Sequence, residues 1–190
     1  LMKKYKISVN QNLVDKITPK DENYYSKGFE PEELTLEEIC EVINWGYAIS
    51  YQFKGGVRKT DNYRCADIVQ VDIDGGRTVS QVLDDPIVKN YGSIFYRTVS
   101  YTPDNPRFRI LFALPRPIWT TSELRSVVTS LSRRLGGDMS VVDGARMFYG
   151  SSNFQTTHLG NSITGKFLTE LIEDGCRVPQ YDSVSNKSNF

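Results

Sequence analysis

Two alternating apolar runs, Ile94 to Tyr101 and Arg107 to Leu114, flank Thr102-Pro103-Asp104-Asn105-Pro106, and no other feature constrains the fold as much. Prolines and Asx residues favour a tight turn, so the runs read as an antiparallel hairpin, which excludes a purely parallel sheet. Upstream, Tyr5, Ile7 and Val9 alternate as a strand before a polar stretch that runs to about Pro31. Tyr47, Ile49, Tyr51 and Phe53 alternate as another strand, Gly55 and Gly56 turn the chain, and Ile68 to Asp74 forms its neighbour. Arg146 to Tyr149 and His158 to Ile163 read as further strands.

Helices punctuate these strands. Thr35 and Glu38 form a capping box for Leu36, Ile39, Cys40 and Ile43, and Gly46 stops the helix. Thr78 with Gln81 caps a short helix near Val79 to Leu83, and a second turn follows Pro86 and ends at Gly92. Thr120 and Glu123 cap a helix whose Leu124, Val127, Val128, Leu131 and Leu135 fall at spacings of three and four, stopped by Gly136 and Gly137. A last helix is expected near Phe167 to Ile172. The sum is an α/β (α+β two-layer) domain, with helices on one face of a mixed, largely antiparallel sheet.

At 190 residues the chain holds one domain with a sizeable core. Residues 1–174 are expected to form it, with 175–190 a polar tail or linker. Leu1 ahead of Met2 reads as a residue left by expression, and the chain as a piece cut from something larger. Lys plus Arg and Asp plus Glu balance at 23 each, so any polyanion must be met by a local basic patch. No apolar run approaches the roughly 20 residues of a membrane span, and the expected location is cytoplasmic with no membrane partner. Cys40, Cys65 and Cys176 lack metal-ligand spacing and read as buried reduced thiols.

Chemistry concentrates in three segments. In VDIDGG the two-residue period turns Gln70, Asp72 and Asp74 to one face and Val69, Val71 and Ile73 to the other. Neighbouring carboxylates repel, and bound Mg²⁺ or Mn²⁺ supplies the positive charge that offsets this. In the hairpin, Phe108, Ile110 and Phe112 point to the core and leave Arg107 and Arg109 opposite, where planar guanidinium forks suit phosphate oxygens. In the third segment Asp138 directly follows the helix stop and can bring a third carboxylate to the first two, while Asp143 and Arg146 read as local turn structure. Arg58 and Lys59 either add a basic contact to template or nucleotide or form a hydrated turn.

Taken together, VDIDGG, YRTVSYTPDNPRFRILFALPRPI and GGDMSVVDGARMFYGSSN resemble the archaeo-eukaryotic primase superfamily, in particular primase-polymerases of phages, plasmids and other mobile elements. The resemblance covers roughly residues 45–155 and lies in the order and spacing of the motifs. It implies a catalytic half like an RNA-recognition-motif sheet and a DNA primase/polymerase activity, template-directed and metal-dependent, joining nucleoside triphosphates to a 3′-hydroxyl. Asp72, Asp74 and Asp138 would be the catalytic metal ligands, for Mg²⁺ or Mn²⁺, with Ser100, Tyr101, Arg107 and Arg109 at the nucleotide and Arg58, Lys59 and Arg146 as contacts to template or phosphate. DNA template and primer and nucleoside triphosphates are the implied partners, with a fused or separate helicase left open. One departure stands out: many relatives have Ser-His-Thr-Pro where this chain has Ser100-Tyr101-Thr102-Pro103, and a phenol carries no positive charge at neutral pH.

Two enzymatic rivals share single features. A haloacid-dehalogenase-type phosphatase also carries DxDG on a strand, but requires a parallel sheet, and a rolling-circle nuclease requires paired histidines where this chain has only His158. A primase-like module that binds nucleotide or DNA without polymerising is the non-enzymatic alternative, kept open by Tyr101.

Overall fold

The computed structural model describes residues 1–177, and the expected tail from 178 onward lies outside the described residues. The strands are β1 (Tyr5–Val14), β2 (Glu30–Leu34), β3 (Tyr47–Ser50), β4 (Gln52–Phe53), β5 (Tyr63–Asp74), β6 (Ile94–Arg97), β7 (Arg107–Ile118), β8 (Met147–Phe148) and β9 (Thr157–His158). The helices are α1 (Leu36–Asn44), α2 (Val79–Leu83), α3 (Pro86–Tyr91), α4 (Thr121–Leu135) and α5 (Gly165–Cys176). This is the α/β domain expected, with strands in two sheets of order β2-β1-β3-β8 and β4-β5-β7-β6-β9. Every pairing among the described strands is antiparallel.

The run from Tyr47 to Phe53 is where the chain leaves one sheet for the other. Its alternation predicts one strand with an exposed polar face, but Ser50 and Gln52 are as buried as Tyr51 and Phe53. Their polar groups are satisfied inside: Ser50 Oγ donates to the Arg146 carbonyl, and Gln52 Nε2 to those of Ile7 and Glu32. Ser8 Oγ donates to the Tyr51 carbonyl at the break, so buried hydrogen bonds replace the interrupted ladder.

Other boundaries differ as well: β5 begins at Tyr63 and β7 runs on to Ile118. β2 begins at the end of the polar stretch and was not expected; its Glu-Pro-Glu-Glu sequence is that of a charged edge strand, pairing from Tyr5↔Leu34 to Val9↔Glu30. β6 stops at Arg97 rather than Tyr101, because Thr98 and Thr102 form local hydrogen bonds with the turn. The last strand is Thr157–His158, and His158 lies 3.6 Å from Glu37.

The helices begin where their caps predicted, with reciprocal capping boxes at Thr35/Glu38 and Thr78/Gln81. α4 buries Leu124, Val127, Val128, Leu131 and Leu135 and packs on β5, and α5 packs against α4 and β7. Cys40 and Cys65 are buried as expected, but Cys176 is exposed at the end of α5, beside Ser126 Oγ at 3.2 Å.

Gly175, placed in the tail by its polar neighbours, is instead buried within α5 where the helix crosses α4. A Cβ there would collide with the Ser126 carbonyl. Gly175→Ala is therefore expected to destabilise the domain by about 2 kcal/mol or more in denaturant unfolding, since backbone cannot yield as a side chain can. Wild-type stability in that variant would show that α5 is not held this closely.

The same helix pair carries an acid-sensitive contact. Asp174 accepts from Ser130 Oγ at 2.6 Å and lies 2.5 Å from Arg133 and 3.4 Å from Arg134. The Ser130 hydroxyl, then Arg133, hold its carboxyl down to about 2. A depressed folded value stabilises above the ordinary carboxylate range and is lost as pH falls through the folded value. Asp174→Asn is expected to flatten the loss of stability between about pH 4 and 2, by less than about 1 kcal/mol because the group is partly exposed.

Candidate functional site

The exposed face of the Val71–Asp74 strand end is matched residue for residue by β7. Asp72 lies opposite Arg109 and Asp74 opposite Arg107, so the carboxylates share a face with the guanidiniums. Arg109 Nε donates to Asp72 Oδ1 at 2.8 Å, and Arg107 Nε lies 2.7 Å from Asp74 Oδ1. The second contact is an ion pair without an aligned hydrogen bond. The charge that offsets the paired carboxylates is thus already present as arginine, a possibility the strand pattern alone did not bring out.

The two pairs differ in kind. Arg109 is 8% exposed, and its Nη1 also donates to the Tyr96 hydroxyl at 2.9 Å and the Tyr149 carbonyl at 3.0 Å. Its guanidinium sits 5.2 Å from the Phe148 ring centroid. Burial alone disfavours its charge, but Tyr96 and Asp72 outweigh burial and hold Arg109 charged above its ordinary range. Tyr149 follows β8, so Arg109 ties the two sheets together behind Asp72. Arg107 and Asp74 are about half exposed, at 40% and 49% of their side-chain surface.

Asp138 reaches this place through the helix stop. Gly136 closes α4 in the left-handed conformation, at φ 73°. Gly137 then passes so close to β5 that a Cβ would lie 2.6 Å from Val71 Cγ1 and 3.1 Å from the Asp72 carbonyl. This approach lets Asp138 N–H donate to the Asp72 carbonyl at 2.8 Å. Asp138 Oδ1 accepts from Ser140 N–H and Oγ at 2.8 and 2.7 Å.

A cavity of about 400 Å³ opens between these segments. Its acidic wall is Asp72, Asp74, Asp138 and Asp143, and its cations are Lys16, Arg58, Arg107, Arg109 and Arg146. Ser100 and Thr98 complete one side. Asp143 Oδ1 accepts from Ala145 N–H in its own turn. Arg58 donates to the Tyr25 and Ala145 carbonyls, bracing the loop rather than reaching outward, and burial lowers its pKa.

Two sequence candidates stay off the cavity wall. Tyr101 packs edge-on against Phe154 at 5.4 Å, with the Arg97 guanidinium 5.1 Å from its ring. Lys59 is exposed and lies 3.9 Å from Asp61. Lys16, Thr98 and Tyr149 were not anticipated: Lys16 sits in a turn with no motif, and Tyr149 contributes through its carbonyl, which no side-chain pattern encodes.

The donor set is all oxygen, the chemistry hard cations take. Magnesium and manganese are commonly held by one or two carboxylates plus substrate phosphates and water. Asp72 and Asp74 fit that mode. The three-carboxylate cluster expected from sequence is not preassembled: among the described residues no three acidic, histidine or cysteine side chains stand close enough to hold an ion together, although all three aspartates line one cavity.

No protein-family model matches the chain, and comparison with curated proteins finds no match. Two solved structures are similar to it. The primase-polymerase (PrimPol) AEP domain of cyanophage S-2L is 10% identical, with 90% of this chain and 89% of that chain covered, at a TM-score of 0.48. The primase RepB′ is 11% identical, with 92% of this chain and 57% of that chain covered, at a TM-score of 0.47. Among the described residues no helix is long and apolar enough to cross a membrane.

Proposed function

We propose that this domain binds a nucleoside triphosphate and carries out metal-dependent, template-directed nucleotidyl transfer to a 3′-hydroxyl, as a DNA primase/polymerase domain. One observation carries the reading: a single cavity is lined by residues of all three segments on which the primase resemblance rests. The β5–β7 register brings Arg107 to Asp74, and the stop of α4 against β5 brings Asp138 to the same wall.

Asp72 and Asp74, joined by Asp138, would hold Mg²⁺ or Mn²⁺, which when bound supplies Lewis acidity at the transferred phosphoryl group. Arg109 holds Asp72 in place and is a positioning residue. Arg107, half exposed, can trade its contact with Asp74 for a phosphate oxygen. Arg146 on the same wall adds positive charge for phosphate. Catalysis by such a site is positioning and charge neutralisation. DNA template and primer would meet a local basic surface, with affinity falling as salt rises.

A second reading has an observation in its favour. Both carboxylates of the Asp72/Asp74 pair are already matched by arginine, and Tyr101 is turned to Phe154, as suits a module that binds nucleotide or DNA without polymerising. The phosphatase reading has none, since the described sheets are wholly antiparallel.

Extension of a primed template with Mn²⁺ and deoxynucleoside triphosphates separates the first two. Extension supports transfer; nucleotide binding without extension favours the binding module; neither result would remove the nucleotide reading altogether.

A further inference from the structure

β1 ends at Val14 and reverses through Asp15 and Lys16, with φ of 51° and 62°. Ile17 N–H closes the turn on the Val14 carbonyl at 2.8 Å. Among the described residues these two are the only ones besides glycine with positive φ. Asp adopts this conformation tolerably, whereas Lys has no local hydrogen bond to compensate and is strained in it. The turn is held from outside: Asp15 N–H donates to the Gly46 carbonyl at 3.0 Å, and its carboxylate accepts from Ser152 N–H at 2.8 Å and from the Ser152 hydroxyl.

This anchoring puts Lys16 on the cavity wall, with Nζ 3.3 Å from Ser100 Oγ. Arg107 and Arg109 are matched by Asp74 and Asp72, and Arg58 is spent on backbone carbonyls. Lys16, like Arg146, makes no ion pair among the described residues. It is a flexible ammonium with its charge uncommitted, beside a hydroxyl, on the wall of the cavity that the carboxylates also line. Strain kept at such a place needs a return.

We infer that Lys16, with the Ser100 hydroxyl beside it, binds the polyphosphate tail of the nucleotide, supplying the cation that Tyr101 does not. This rests on the nucleotide-binding reading above. An ammonium on a flexible stem can follow phosphate oxygens as a point charge, and a hydroxyl beside it adds a donor.

Titration calorimetry of the full chain with dATP and with dAMP, in Mg²⁺, tests the inference. Lys16→Gln is expected to weaken dATP binding about tenfold or more and leave dAMP binding unchanged, while Lys16→Arg keeps most of the dATP affinity. Lys16→Gly separates charge from backbone: glycine relieves the turn, so the melting temperature is expected to rise by about 1–3 °C while dATP affinity falls as in Lys16→Gln. Undiminished dATP affinity in Lys16→Gln or Lys16→Gly, with the unaltered chain preferring dATP to dAMP, would overturn the inference alone. Equal binding of dATP and dAMP by the unaltered chain would likewise overturn the inference, whereas no binding of either would overturn the nucleotide reading and this inference with it.

Discussion

Asp72→Ala is expected to cost about 3 kcal/mol of unfolding free energy, while Asp74→Ala two residues away costs less than about 1 kcal/mol. The carboxylates share a strand face and each faces an arginine, so the difference comes from burial. Removing Asp72 leaves Arg109 enclosed between the sheets without its acid, and only the Tyr96 hydroxyl and Tyr149 carbonyl remain to it. Those two partners put the cost at the low end of what breaking a buried pair brings. Removing Asp74 leaves Arg107 at the surface, where water replaces the partner. Asp72→Ala combined with Arg109→Met is expected to recover most of the loss, because an apolar side chain has no charge to strand. Urea unfolding of the four proteins measures this; equal effects for Asp72→Ala and Asp74→Ala would remove Arg109 as the tie between the sheets.

The second large effect is on activity. Asp74→Asn with Asp138→Asn is expected to reduce primed-template extension by about 10³-fold or more with the fold preserved. Lewis-acid stabilisation by a bound ion is worth several kcal/mol, and each 1.4 kcal/mol is tenfold in rate. Asparagine keeps shape and oxygen while removing charge, and neither position encloses a buried cation. On the strand pattern alone, Asp72→Ala with Asp74→Ala would abolish extension and leave the fold intact; the burial of Arg109 makes that pair a poorer test, since lost activity would mix with lost stability. Extension within a few fold of the unaltered chain in Asp74→Asn/Asp138→Asn would reject the carboxylates as ligands.

How much of this was legible varies by element. The capping boxes at Thr35 and Thr78 and the apolar face of α4 were readable because local hydrogen bonds and a 3.6-residue period act within a few residues. The break at Tyr51 was not, because alternation cannot distinguish a polar residue facing water from one hydrogen-bonded inside, as Ser50 and Gln52 are. β2 was hidden by its charges, which an edge strand tolerates and a central one does not. The side-chain period put Asp72 and Asp74 on one face, and Arg107 and Arg109 on one face of their own strand. It cannot register the strands against each other, so the arginine opposite each carboxylate is not visible from it.

The sequence by itself determined the antiparallel hairpin, the helices and the acidic and basic residue types that line the candidate site, since these follow from short-range periodicity, turn chemistry and charge. Only the tertiary structure decided which side chains were committed and which stayed available: Arg109 buried behind Asp72, Tyr101 turned to Phe154, Lys16 aimed at Ser100 from a strained turn. Burial and long-range pairing set those outcomes, and both depend on segments that approach one another only when the whole chain packs.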